Sequence, residues 1–166
     1  MNDLPKTVGG GWVHADVKTP RFQEFDFHMG TLMGDVPGAA WADWPLTYDE
    51  LEPYYDEAEV FIGVQGKRGA SPFDPPRKNE FPTPPGNPMY NHVVLAAGAS
   101  KLGYHPFPYP SAVLSVPYRG RPACNDCGFC SGYGCPTNAK SSGAVTWLRE
   151  ALLTGRVQLR SECRVT

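Results

Sequence analysis

The sequence contains no run of eighteen apolar residues, the length a bilayer-spanning helix requires, so no transmembrane segment is expected in this chain. It carries no excess charge of either sign. Fifteen Lys and Arg face seventeen Asp and Glu, and the net charge of −2 excludes a basic nucleic-acid binder and a self-repelling acidic chain alike. No G-x-G-x-x-G dinucleotide fingerprint occurs, and no serine, histidine and acid stand at a telling spacing. There is no internal repeat and no low-complexity tract. The opening residues MNDLPKTV hold neither a basic n-region nor an apolar h-region, so no signal peptide is expected in them.

Glycine and proline are plentiful instead, at 18 each in 166 residues, which predicts short elements joined by long fixed connections. A chain of this length buries one ordinary core. Thr47 and Glu50 form a capping box ahead of a helix that Gly63 stops, with Asp49, Glu50 and Glu52 in its first turns, where the helix dipole favours negative charge. Leu51, Tyr54, Tyr55, Ala58 and Ile62 recur at helical spacing and predict its apolar face. Seven prolines between Gly66 and Pro88 exclude a regular helix or a central strand there. Asn87 as cap, Pro88 as first residue and Gly103 as terminator predict a second helix, apolar nearly all round and therefore buried. Ser141 or Ser142 is expected to cap a third helix through WLREALL. VQLRSECRV, residues 157–165, alternates like a half-buried strand.

Chemistry concentrates in PACNDCGFCSGYGCPTNAK. Cys124, Cys127, Cys130 and Cys135 are spaced C-x2-C-x2-C-x4-C with Pro136 following, one residue longer than the bacterial ferredoxin loop. Gly128, Gly132 and Gly134 offer the positive φ angles that wrapping around a metal needs. An iron–sulfur site, a zinc site and a loop of disulfides or inert buried thiols all remain open from spacing. Under the metal readings the chain could also be a small stand-alone metal-binding module. Cys163 stands apart, as a small apolar strand residue. Upstream, Gly9, Gly10 and Gly11 follow Val8 and precede His14. Such a triplet lets backbone amides approach an anion closely, and it is also a common turn. His28, His92 and His105 sit in no chemical constellation and are read as structural or surface residues.

Four phrases in order, VGGGWVHADVKTPRF, DVPGAAWADWPLTYDELEPYYDEAE, HPFPYPSAVLS and CGFCSGYGCPTNAKSS, together resemble the GMC (glucose–methanol–choline) flavin-dependent oxidoreductases, and most nearly the gluconate-dehydrogenase-like and pyranose-oxidase-like branches. The resemblance runs from about Val8 to the carboxyl end. It implies an FAD cofactor lying beside Val8, Gly9, Gly10, Gly11 and His14. In pyranose-oxidase-like members the histidine of this phrase carries the flavin covalently, and Thr19, Pro20, Arg21 and Phe22 continue the match. Trp12 and Ala15 depart from the residues usual at their positions. In related sugar dehydrogenases, cysteines before the C-P…A-K phrase bind an iron–sulfur cluster. That implies Cys124, Cys130 and Cys135 as ligands here, with Cys127 as a fourth or a spare.

The same resemblance implies an α+β, loop-rich fragment of a two-domain FAD-dependent enzyme that lacks the N-terminal Rossmann nucleotide-binding unit. Its parts would be a flavin-contacting region over 1–40, a helical and proline-rich substrate-side region over 41–120, the cysteine loop over 121–142, and a helix and strand over 143–166. The family's catalytic histidine would lie beyond Thr166, so no catalytic residue is assigned within the chain. The implied activity is oxidation of a CH–OH group of a sugar, sugar acid or alcohol, with a cytochrome or small accessory subunit as partner. Either periplasm or cytoplasm suits such a protein.

Overall fold

The computed structural model describes residues 6–163. A turn of 3-10 helix at Gly10–Val13 opens the chain, and a second at Glu24–His28 runs into the short helix α1, Met29–Met33. Helix α2 spans Tyr48–Ile62, α3 spans Tyr90–Lys101 and α4 spans Trp147–Leu153. None of these is long and apolar enough to cross a membrane.

Helix α2 forms as its cap predicts. The Thr47 hydroxyl accepts from the Glu50 N–H at 3.3 Å, and the Glu50 carboxylate accepts from the Thr47 N–H at 2.8 Å. Gly63 ends it at φ +82°, with its N–H on the Glu59 carbonyl at 2.9 Å. A Cβ there would stand 2.5 Å from a Leu114 methyl, so backbone conformation and packing both require glycine.

The buried stripe of α2 differs from the expected one. Tyr54 is exposed, and the residues turned inward are Tyr48, Glu52, Glu59 and Ile62. Two of these are acids because Arg21 crosses beneath them. Its guanidinium grips Glu59 with two bonds of 2.9 and 2.8 Å and also reaches Tyr48, Glu52 and Asp56. Arg77 grips the other side of Glu59 at 3.1 and 2.8 Å. The backbone N–H of Lys78 donates to Glu52 Oε1 at 3.0 Å, while Glu52 Oε2 is answered through space by the Lys78 ammonium 3.4 Å away. Burial alone would lower the Arg21 pKa, but the bonds to Glu59, Tyr48 and Asp56 outweigh it and raise it.

The hub of the fold is the extended run Ser111–Leu114. Ala112 donates to the Val17 carbonyl at 2.9 Å and Leu114 to Ala139 at 3.0 Å, while Gln65 and Ser111 exchange bonds of 2.9 and 3.2 Å. Ser141 returns a bond to Ala112 at 2.9 Å. Val17, Ile62, Val64, Ala112 and Val113 meet here as the core, with Trp12, Phe81 and Cys124 packed against it. The β part of the expected α+β fold thus consists, among the described residues, of isolated bridges between these segments with no longer strand.

Four expectations are corrected. No residue of α3 is buried: Val94 is 52% and Leu95 67% exposed, because no described segment packs against the helix. It starts at Tyr90 after Met89, while the Asn87 amide lies 3.4 Å from Asp126. Thr146, not Ser141 or Ser142, precedes α4. The Ser141 hydroxyl is instead committed to the Ile62 carbonyl at 2.8 Å and to Arg121 at 2.9 Å. The expected strand is absent over residues 157–163, which lie exposed with no neighbouring segment to complete a ladder; Arg164 and Val165, its last residues, fall outside the described part.

A prediction on pH follows from Glu52. The Lys78 N–H, foremost, holds its carboxyl below the ordinary value of 4.5 against the opposing effect of burial. A carboxyl depressed in the folded state stabilises above its unfolded pKa, and that contribution is lost as pH falls through the folded value. Thermal stability should therefore decline on acidification below about pH 4.5, and Glu52→Gln should flatten the decline. An unchanged profile in that variant would remove Glu52 as the source.

Candidate functional site

The two sequence-predicted sites meet. The peptide N–H of Gly132, in the cysteine loop, donates to the His14 carbonyl at 2.7 Å. Beneath this contact lies Lys140, 1% exposed. Its ammonium donates to the carbonyls of Ala15 at 3.1 Å, Cys130 at 2.7 Å and Tyr133 at 2.7 Å. One buried cation thus ties the residues after the glycine turn to two points of the cysteine loop. Sequence reasoning quoted this lysine within its AKSS phrase and gave it no role. Its neighbours in sequence, Ala139 and two serines, carry no signal of its burial.

The glycine turn is shaped by its neighbours. Gly9, at φ +94°, comes so close to α4's approach segment that a Cβ would stand 2.8 Å from a Val13 methyl and 3.0 Å from Ala144. Gly10 is also left-handed, at φ +64°, and no atom lies within 4 Å of where its side chain would be. Gly11 lies within the 3-10 turn and needs no such angle. Trp12 packs on Trp147 of α4, with ring centroids 5.9 Å apart, which anchors the turn from below. Val8 is 40% exposed, and His14 is half-buried with no hydrogen bond from its ring to the described residues. An open backbone face at Gly10 flanked by a free imidazole fits the flank of a flat, anionic cofactor such as FAD.

The cysteine loop uses Gly128 at φ +77° and Gly132 at φ +81° as expected. Gly134 does not adopt such an angle, and Asp126 and Asn138 supply the other reversals at +54° and +59°. All four thiols are free and partly buried. Cys124 Sγ accepts from the Asp126 N–H at 3.3 Å and Cys135 Sγ from the Lys140 N–H at 3.4 Å. Burial pushes the Cys124 and Cys130 thiols up. It pushes Cys135 the same way, but the Thr137 hydroxyl and the N–H groups of Lys140, Thr137 and Ala139 outweigh it and hold that thiol below its ordinary value. Among the described residues no three Cys, His, Asp or Glu side chains are gathered as a metal-binding group. As folded, the loop does not fit the implied iron–sulfur cluster.

A sequence profile of the GMC oxidoreductase family matches residues 39–166. The chain is 33% identical over 140 residues to the gluconate 2-dehydrogenase flavoprotein of Pantoea cypripedii, covering 74% of this chain and 23% of that protein. It is 34% identical over 162 residues to the 2-methyl-1,2-propanediol dehydrogenase of Mycolicibacterium austroafricanum, covering 98% and 28%. With the fructose dehydrogenase large subunit of Gluconobacter japonicus the identity is 33% over 154 residues, covering 92% and 27%. The chain belongs to the GMC oxidoreductase family, whose members use FAD. It spans about a quarter of the length of these curated relatives.

Proposed function

We propose that this chain is the flavin-flanking and cysteine-loop portion of an FAD-dependent dehydrogenase that oxidises a CH–OH group of a sugar, sugar acid or alcohol. The observation that carries the reading is the docking of the glycine turn onto the cysteine loop through Gly132 and Lys140, within a chain of this family. It supports the division proposed from sequence, in which residues 1–40 border the cofactor and 121–142 form the loop behind it. When bound, FAD supplies the two-electron acceptor for the substrate C–H. The chain's own residues offer an unhindered backbone at Gly10 for the cofactor's edge, and His14 stands beside it. Lys140 keeps the turn from separating from the loop. A longer polypeptide would supply the nucleotide-binding unit and the histidine base, whose pKa is best placed near working pH.

No step is routed through a metal, since no metal-binding group of side chains is gathered among the described residues. A cluster on Cys124, Cys127, Cys130 and Cys135, implied by the family resemblance and passing electrons to a cytochrome or small accessory subunit, would require those thiols to gather first and is no part of this proposal. Analysis of purified protein for iron and sulfide decides it.

The chain alone is expected to show no turnover of sugars or alcohols with a dye acceptor. A polypeptide of the relatives' length that contains it should bind FAD and turn over. His14→Ala in that longer protein is expected to weaken flavin retention by about tenfold or more. Dehydrogenase activity in the 166-residue chain would overturn the partial assignment, and a flavin-free longer protein would overturn the function.

A further inference from the structure

A cavity of about 480 Å³ opens between the turn at residues 119–122 and α4, away from the flavin-flanking turn. Its volume is that of a small-molecule site, which typically measures about 300–1,000 Å³. Its lining is apolar at Ala144, Val145, Leu152 and Leu153 and also carries Arg121 and Arg149, the latter on the same helix as the two leucines.

The charges along this lining are out of balance. Arg121 is 5% exposed, yet its partners are neutral: the Ile62 carbonyl at 2.6 Å, the Ser141 hydroxyl at 2.9 Å and the Asn138 carbonyl at 3.5 Å. Arg21, equally buried, is matched by three carboxylates. Arg149 lies against the Gly120 backbone and donates to Glu150 at 2.8 Å; both side chains stay more than a third exposed. Arg119 adds a third guanidinium nearby, set over the Phe61 ring at 4.9 Å. Among the described residues, three cations are therefore answered by one carboxylate. Burial first, and then the charges of Arg149 and Arg119, lower the Arg121 pKa, and the opposing charge of Glu150 does not outweigh them. A buried cation without a counter-charge is costly to hold, and an anion beside it would relieve that cost.

We propose that this cavity binds a small organic carboxylate, its charge between Arg121 and Arg149 and its apolar body along Val145, Leu152 and Leu153. The apolar lining argues against a bare inorganic anion, which would leave it uncovered. The guanidinium pair argues against a neutral apolar ligand, which would leave the charge unanswered. The inference does not depend on the flavin assignment.

The test is calorimetric titration of the full chain in low-salt buffer with hexanoate, hexanamide and inorganic phosphate. Hexanoate is expected to bind saturably and about tenfold or more tighter than either of the others, because charge-assisted pairing with arginine is lost in the amide and apolar contact is lost in phosphate. Arg149→Met should abolish that preference, and Arg149→Lys should restore part of it. Leu153→Asn, at a side chain already 69% exposed, should weaken hexanoate and leave phosphate unchanged. Equal binding of hexanoate and hexanamide, or of hexanoate and phosphate, would overturn the proposal. So would undiminished hexanoate binding in Arg149→Met.

Discussion

Replacing Arg21 with methionine is expected to destabilise the fold by about 3–5 kcal/mol, the loss typical when one member of a buried ion network is removed. The size follows from what stays behind. Arg77 still covers Glu59, but Glu52 keeps just a backbone N–H and an ammonium whose stem is 74% exposed, and Asp56 keeps the Asn79 amide at 2.6 Å. Two carboxylates would then sit in a poorly hydrated site without the guanidinium that joined them. Arg21→Lys should recover less than half of the loss, since an ammonium cannot make the paired bonds to Glu59 and reach Tyr48 and Asp56 together. Lys78→Ala, which removes an exposed partner of the same network, should cost under about 1 kcal/mol. Urea unfolding of the three variants checks this. A loss below about 1 kcal/mol for Arg21→Met would mean that water already screens the cluster. Against a total stability of about 5–15 kcal/mol for a single domain, the expected loss is a large share.

This network also marks the limit of what could be read from sequence. Helix α2 was legible because its signals are local: Thr47, Glu50 and Gly63 all act within one turn of the residues they cap. The face it buries was not. Glu52 and Glu59 read as solvated acids until Arg21 and Arg77, 38 and 18 positions from Glu59 along the chain, are placed beneath them. Burial of α3 was predicted from its composition, yet burial depends on a neighbour, and none of the described segments provides one. The alternating run after Gly155 fails as a strand for the same reason, since periodicity prepares a face but does not provide the pairing edge. For the candidate site, Gly9, Gly10, His14 and the four cysteines were legible in the sequence as candidates. Their relation was not. The contact between turn and loop spans residues 14 and 132 and depends on a lysine whose burial among backbone carbonyls comes from the fold.

Lys140→Met should separate the turn from the loop while leaving most of the core intact. The methionine keeps a flexible apolar stem of similar reach and removes the three donors that hold Ala15, Cys130 and Tyr133. Hydrogen bonds from a charged donor contribute about 1.5–3 kcal/mol each, but Tyr133 lies at the surface and its carbonyl can turn to water, so the net loss is expected near 2–4 kcal/mol. What distinguishes this variant from Arg21→Met is where the loss appears. The Gly132 amide, bonded to the His14 carbonyl at 2.7 Å, should exchange with solvent deuterium about tenfold or more faster than any fall in global stability requires. Iodoacetamide should alkylate the partly buried Cys130 thiol correspondingly faster. Lys140→Arg should not rescue either rate, because a planar guanidinium cannot point three donors at carbonyls converging on one point. If Gly132 exchange tracked global unfolding in the methionine variant, the ammonium would be a core-filling group and not a clasp. The glycine turn would then owe its position to the packing of Trp12 on Trp147.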